Sequence, residues 1–436
     1  MIISTTIFSF ISIQKLYVFN FESLAFLDML SRPGKTIGLN LNICCTIQLA
    51  LELNSPKEIP NAIDYFKKSI VAFRVHREKD LLVFDPNRKI PVMKIPNNIK
   101  SLQASAEYVA NHPYNYEDCF GQIAANDHQV VVDISHTMGD GAFFCFLVQN
   151  YGKPPNPPLD HLPNFFNDGL EKKIEAAPID YIFTNDPYLT RFHSRATEAE
   201  LKNNPYIDSN GFSFFQYFDK RLPASAFTTY NPSKRAPEHL SEAFWIAHYF
   251  AACSQENKLL PFFKINTIIN SRQFLDRPAN FYDCGKISNF SPSTKVFPNM
   301  TIKEMGQKMR ENLKDMIKKG YQFSFLKRKY LSGPEPPGIY MELTNMGPLK
   351  IRKPIVDAWA SLKMHSRDTP MTSLMSFSVD DGKRNDFVTR FRYTPTLMSA
   401  NEAIRFSNSI DYFLKNISFD RKIEDVYHEM NGVFYS

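Results

Sequence analysis

The residues best suited to chemistry in this sequence are His136 and Asp140, which enclose Thr137-Met138-Gly139 and are followed by Gly141. Histidine titrates nearer neutrality than any other side chain, so a neutral imidazole held in place takes a proton from a hydroxyl, thiol or amine nucleophile. Asp140 then has two available parts. It can bond the imidazole, as the orienting acid of a catalytic triad does, or it can turn away and anchor the loop by pairing with a distant cation. Spacing alone does not choose between them. Gly139 and Gly141 bracket the aspartate and open backbone angles closed to other residues.

Two elements must position this pair. Residues 129–134, Gln-Val-Val-Val-Asp-Ile, are short, β-branched and apolar, which reads as a buried strand, and 142–148 are apolar enough and long enough for a helix. His136 therefore sits at a strand-to-helix turn. Upstream, the apolar run over 38–53 predicts a strand ending at Asn54-Ser55-Pro56, and Ile59, Ile63, Phe66, Ile70 and Phe73 lie at helical spacing. Residues 73–77 and 81–84 then read as two short strands.

After Tyr151 the chain changes character. Prolines at 154, 155, 157, 158 and 163 forbid a helix or central strand, and Asn and Asp stay dense as far as Gly211, so 152–211 reads as a crossover joining two lobes or covering a site. A second set of elements follows: an aromatic strand over 212–218, an apolar helix over 240–252 and a strand over 262–269 running into Asn270-Ser271-Arg272. Residues 302–319 form an amphipathic helix with Met305, Met309, Leu313, Met316 and Ile317 on one face. Residues 371–379 and 387–393, joined by Asp380-Asp381-Gly382, predict a hairpin, and 400–414 a closing helix.

At 436 residues the chain suits two lobes of about 200 residues. With 43% apolar and 22% charged residues it is a folded rather than a disordered protein. The formal charge of +6 is spread along the chain and suits an anionic ligand or simply a solvated surface. Six cysteines, at 44, 45, 119, 145, 253 and 284, include no C-x-x-C pair, which argues against a zinc site or a disulfide framework and for a reducing compartment. Residues 1–14 are apolar but lack a positive n-region and are shorter than the roughly 20 residues that span a bilayer. A strand or unstructured start is the preferred reading there, ahead of a targeting segment or membrane contact.

His136-Thr-Met-Gly-Asp140-Gly141 after a buried strand resembles the His-x-x-x-Asp-Gly motif of the coenzyme A dependent acyltransferases, the superfamily of chloramphenicol acetyltransferase, the alcohol acetyltransferases and the condensation domains of peptide synthetases. The order of predicted elements carries the resemblance over about residues 38–415. It implies an α/β (α+β) fold of two chloramphenicol-acetyltransferase-like lobes, each a mixed sheet with flanking helices, with an active-site tunnel between them. The division is an N-terminal segment at 1–37, a first lobe at 38–151, the crossover at 152–211 and a second lobe at 212–436. A segment near the 371–393 hairpin would reach across and fix the lobes together.

The resemblance also implies roles. His136 is the general base, and Asp140 and Gly141 are structural at the site. Arg272 stands where an arginine pairs with the motif aspartate in many of these proteins. Thr344-Asn345 resembles the Ser-Asn-x-Gly strand end of alcohol acetyltransferase and condensation relatives, and with Thr372-Ser373 it would line the tunnel near the thioester. The implied reaction moves an acyl group from acyl-CoA, as co-substrate, to an alcohol or amine. A catalytically silent scaffold that keeps the fold and binds a ligand is the alternative. Two departures narrow the choice. The Asp-Phe-Gly-Trp-Gly string of plant-type relatives does not occur, and Ser135 replaces the second histidine usual in condensation domains, which disfavours peptide-bond condensation on a carrier protein.

Other constellations fall away. Pro33-Gly-Lys-Thr36 has Met29 where a phosphate-binding loop has its first glycine, and no G-x-S-x-G elbow occurs. The short basic runs at 327–329 and 350–353 read as solvated surface rather than a nucleic-acid face. The expectation is a cytoplasmic monomer without a bound metal or cofactor, and without a nucleic-acid partner.

Overall fold

The computed structural model describes residues 45–78, 81–114, 118–162, 168–178, 186, 188–202, 215–324, 336–364 and 370–434. The readings made for 1–44, 212–214 and 327–329 lie outside them. In the first lobe the described elements are β1 (Cys45–Leu53), α1 (Ile59–Ser69), β2 (Val92–Lys94), α2 (Leu102–Ala110), β3 (Gly121–Ala125), β4 (Gln129–Ser135) and α3 (Gly141–Gln149). Val75–Glu78 and Leu81–Phe84 pair as the two predicted short strands. Every residue of β4 is buried, which is why its sequence runs apolar instead of alternating.

The second lobe holds β5 (Gln216–Pro223), α4 (Leu240–Glu256), β6 (Asn266–Asn270), β7 (Ile287–Phe290), α5 (Ile302–Lys318), β8 (Ile339–Lys350), β9 (Ile355–Met364), β10 (Met371–Asp380), β11 (Asn385–Tyr393), α6 (Ala400–Asn416) and α7 (Ile423–Phe434). Capping boxes at Thr301/Glu304 and Ser399/Glu402 start α5 and α6, each reciprocal pair satisfying two backbone donors that the helix itself cannot. The strand expected over 262–269 is broken at Ile265. Phe262–Lys264 pairs with Ser293–Lys295 in a separate ladder, and only β6 enters the large sheet.

Two mixed sheets result. The first runs β9-β1-β4-β3-β2 and the second β7-β6-β8-β10-β11-β5, with Arg191–Phe192 of the crossover pairing onto the start of β8. In the second, β6, β8 and β10 are mutually parallel. Parallel neighbours need a crossover connection. Between β8 and β10 that connection is β9, which leaves its own lobe and pairs antiparallel with β1 from Cys45↔Met364 to Leu53↔Ile355. The second half of the chain thus supplies an edge strand to the first sheet.

Each lobe has its own apolar core. The second sheet contributes to both. Met341, Leu343, Leu374, Phe387 and Phe391 pack under its helices, whereas Tyr340, Met346, Met371, Met375, Phe377 and Val388 turn to the first lobe. Strand alternation, with a period of two, makes one sheet serve two cores. Among the described residues no helix is long and apolar enough to cross a membrane.

Candidate active site

β4 ends at Ser135, and the next three residues, His136–Met138, close a single 3-10 turn that Ser135 caps through its hydroxyl. His136 is half-buried. Its Nδ1 lies 2.9 Å from the Gly139 carbonyl oxygen. A carbonyl only accepts, so in the neutral ring the proton sits on Nδ1 and the basic lone pair belongs to Nε2. Burial of the ring pushes the His136 pKa below its ordinary value. The charge of Asp140 works in the opposite sense and that of Arg392, across the seam, in the same one. The ring is held neutral, the form a base needs.

Asp140 is not turned toward His136. It is the N-cap of α3, accepting from the Phe143 N–H at 2.8 Å, and it faces the second lobe. There Arg272 grips it through two bonds, Nη1 to Oδ1 and Nη2 to Oδ2, both 3.0 Å, and the Lys286 N–H adds a third contact at 2.7 Å. Arg272 is itself fixed: Nε donates to the Asp283 carbonyl at 2.8 Å and Nη2 to the Cys284 carbonyl at 2.9 Å. Both charged side chains are buried, at 6% and 1% exposure, so the pair is a fully desolvated bidentate bridge between lobes.

The glycines of the motif answer to space rather than to backbone angle. Gly139 has an extended backbone, φ 177°, that any residue adopts, but an added Cβ would lie 2.7 Å from Ile134 Cδ1. At Gly141 the Cβ would meet Met346 Cγ at 2.6 Å, because β8 passes directly against α3 there, as the 3.4 Å contact of Cys145 Sγ with the Met346 carbonyl also shows.

The remaining candidates separate. Thr372 and Ser373 are adjacent on β10 and so point to opposite faces of the sheet. Thr372 falls in register with Met341 and Tyr393, on the helix side, away from the first lobe. Its hydroxyl cannot line a surface shared with Ser373. Ser373 faces the first lobe, in register with Glu342 on β8 and Arg392 on β11. Thr344 lies on the same side of β8, and Asn345 sits at the bulge between Asn345 and Pro348, where its Oδ1 accepts from the Gly347 N–H at 3.0 Å. Of the row Asn266, Glu342, Ser373, Arg392, only Ser373 was expected from the sequence. The signal for Arg392 was present in Thr389-Arg390-Phe391-Arg392, where charges at a spacing of two interrupt an apolar strand.

No family model and no curated protein sequence matches this chain. Solved structures do. A mutant of the starter condensation domain of rhizomide synthetase RzmA, in complex with C8-CoA and Leu-SNAC, superposes with a TM-score of 0.57 at 10% identity, covering 92% of this chain and 94% of that one. The first condensation domain of the calcium-dependent antibiotic synthetase, in complex with a substrate analogue, gives 0.58 at 11% identity over 94% and 98%. Polyketide synthase associated protein 5 from Mycobacterium tuberculosis gives 0.56 at 13% identity over 85% and 94%. At these identities the likeness speaks for the fold, and the fold is the expected one: two chloramphenicol-acetyltransferase-like lobes.

Proposed function

From a fold shared with a starter condensation domain solved with C8-CoA bound, we propose that this chain transfers an acyl group from acyl-CoA to an alcohol or amine, with His136 as the general base. The observation that carries the reading is the neutral, Nδ1-tethered imidazole of His136 in a turn pinned from behind by the Asp140–Arg272 bridge. Nε2 takes the proton of the acceptor as its oxygen or nitrogen attacks the thioester carbonyl. The proton then returns to the departing thiolate, and free CoA and the acylated acceptor leave. Asp140 acts by holding the loop, not as a triad acid. Gly141 keeps α3 close to β8, and Thr344 stands on the first-lobe side of the second sheet, where a donor for the developing oxyanion is needed within about 3 Å. The Ser373 hydroxyl on the same side is spent on Glu342, and Asn345, next to Thr344 on the strand, belongs to the opposite face.

The test is transfer itself. Purified protein is mixed with acetyl-CoA and longer acyl-CoAs and a panel of alcohols and amines, and free thiol is followed. His136→Ala should lower the rate by about a hundredfold to ten-thousandfold, the range for loss of a positioned base. A variant within a few-fold of the parent would remove His136 from the mechanism.

A further inference from the structure

One charged side chain in the seam has more donors than partners. Arg392 is 3% exposed. Its Nη2 donates to Ser373 Oγ at 2.6 Å, and Ser373 Oγ donates onward to Glu342 Oε1 at 3.1 Å. Glu342 is further occupied by the Asn266 amide at 3.1 Å. Arg392 Nη2 is 3.6 Å from Glu342 Oε1, beyond hydrogen-bond reach, so the serine stands between the charges. Nε and Nη1 of Arg392 are buried and have no hydrogen-bond partner among the described residues.

Its position is set by the strands. The guanidinium carbon lies 5.9 Å from the centre of the Phe215 ring, and the Phe215 N–H bonds the Met364 carbonyl. Met364 pairs with Cys45 at the start of β1, and the next residue, Thr46, pairs with Ser135, which precedes His136. Arg392 thus lies on the first-lobe side of the second sheet, the side on which β1, β4 and the His136 turn are placed.

Burying a guanidinium with donors unmet is costly, and a neutral carbonyl would need no more than a hydroxyl or a backbone N–H to greet it. A planar fork of charge-assisted donors matches a carboxylate. A phosphate dianion fits worse, because Glu342 already places one negative charge behind Ser373.

We propose that Arg392 reads a substrate carboxylate, either on the acceptor or at the far end of the acyl chain. The inference rests on the acyl-transfer reading for the identity of the substrate but not for the binding itself. Binding is therefore measured by calorimetry on the full chain without turnover. One arm compares L-amino acids and 2-hydroxy acids with their amides, and the other compares succinyl-CoA with butyryl-CoA.

In one arm or the other the acid should bind about tenfold to a hundredfold more tightly than its uncharged counterpart, the worth of a charge-assisted bond. Arg392→Gln should erase that preference and Arg392→Lys, which keeps the charge but not the fork, should lose most of it, while His136→Ala keeps it. The parent comparison needs no variant, so a misfolded Arg392→Gln protein does not spoil the test. Equal binding of acid and neutral partner in both arms, no binding in either, or a preference that survives Arg392→Gln overturns the proposal. An Arg392-dependent preference without any transfer would instead leave the carboxylate site standing and sink the acyl-transfer reading.

Discussion

A histidine reads as a base only when its surroundings choose its tautomer and its charge, and at His136 both are chosen locally. The Gly139 carbonyl holds the Nδ1 proton, and burial disfavours the imidazolium. kcat/KM should therefore rise with pH through an apparent pKa below about 6.5, the ordinary histidine value, and stay level above it. A profile flat from pH 4 to 8 would mean that no such base takes part. For Asp140 the choice between triad acid and anchor was open in the sequence, and the bidentate bridge to Arg272 favours the anchor. Asp140→Ala or Arg272→Ala alone should cost about 3–5 kcal/mol, because the survivor is left desolvated and unpaired. Removing both should cost less than the sum of the two, as read from urea midpoints. Strictly additive losses would show that the bridge does not couple the two residues.

At the scale of elements, the periodic signals were legible and the interruptions were not. α5 and α6 appeared with nearly their observed bounds because an apolar face repeats every three or four residues and capping residues mark the starts, whereas α4, buried without a break from Glu242 to Gln255 and uncapped by a side chain, showed only as a long apolar run. The break at Ile265 escaped because apolar residues continue on both sides of it, and only partner strands decide which ladder each half joins. The motif glycines were assigned to backbone freedom, whereas the close approach of β8 to α3 is what excludes a side chain. Gly141→Ala should destabilise by about 1–3 kcal/mol through overpacking against Met346. Combining it with Met346→Ala should recover part of that cost relative to the sum of the single changes. If thermal melts of Gly141→Ala match the parent, the contact is softer than its 2.6 Å geometry implies.

Across the whole molecule, the two lobes are joined by sheet hydrogen bonds as well as by side chains. β9 lies along β1, and Arg221 on β5 holds Asp357 on β9 through two bonds of 2.8 Å. Such a chain should unfold as one cooperative unit. The two tryptophans report this directly, since Trp245 sits in the second core and Trp359 on β9 in the first sheet. Single-tryptophan variants, Trp245→Phe and Trp359→Phe, should give coincident fluorescence and circular-dichroism midpoints in urea, and separated midpoints would mean that the lobes melt independently. From sequence alone came the histidine turn proposed as the site, the buried strand before it and the two-lobed order of elements, because local periodicity and a short motif are properties of contiguous residues. The direction in which Asp140 points, the exchange of β9 between sheets, the parting of Thr372 from Ser373 and the placing of Arg392 beside the seam were decided by tertiary structure. Each depends on which strand lies next to which, and with what register, and a linear pattern does not carry that information.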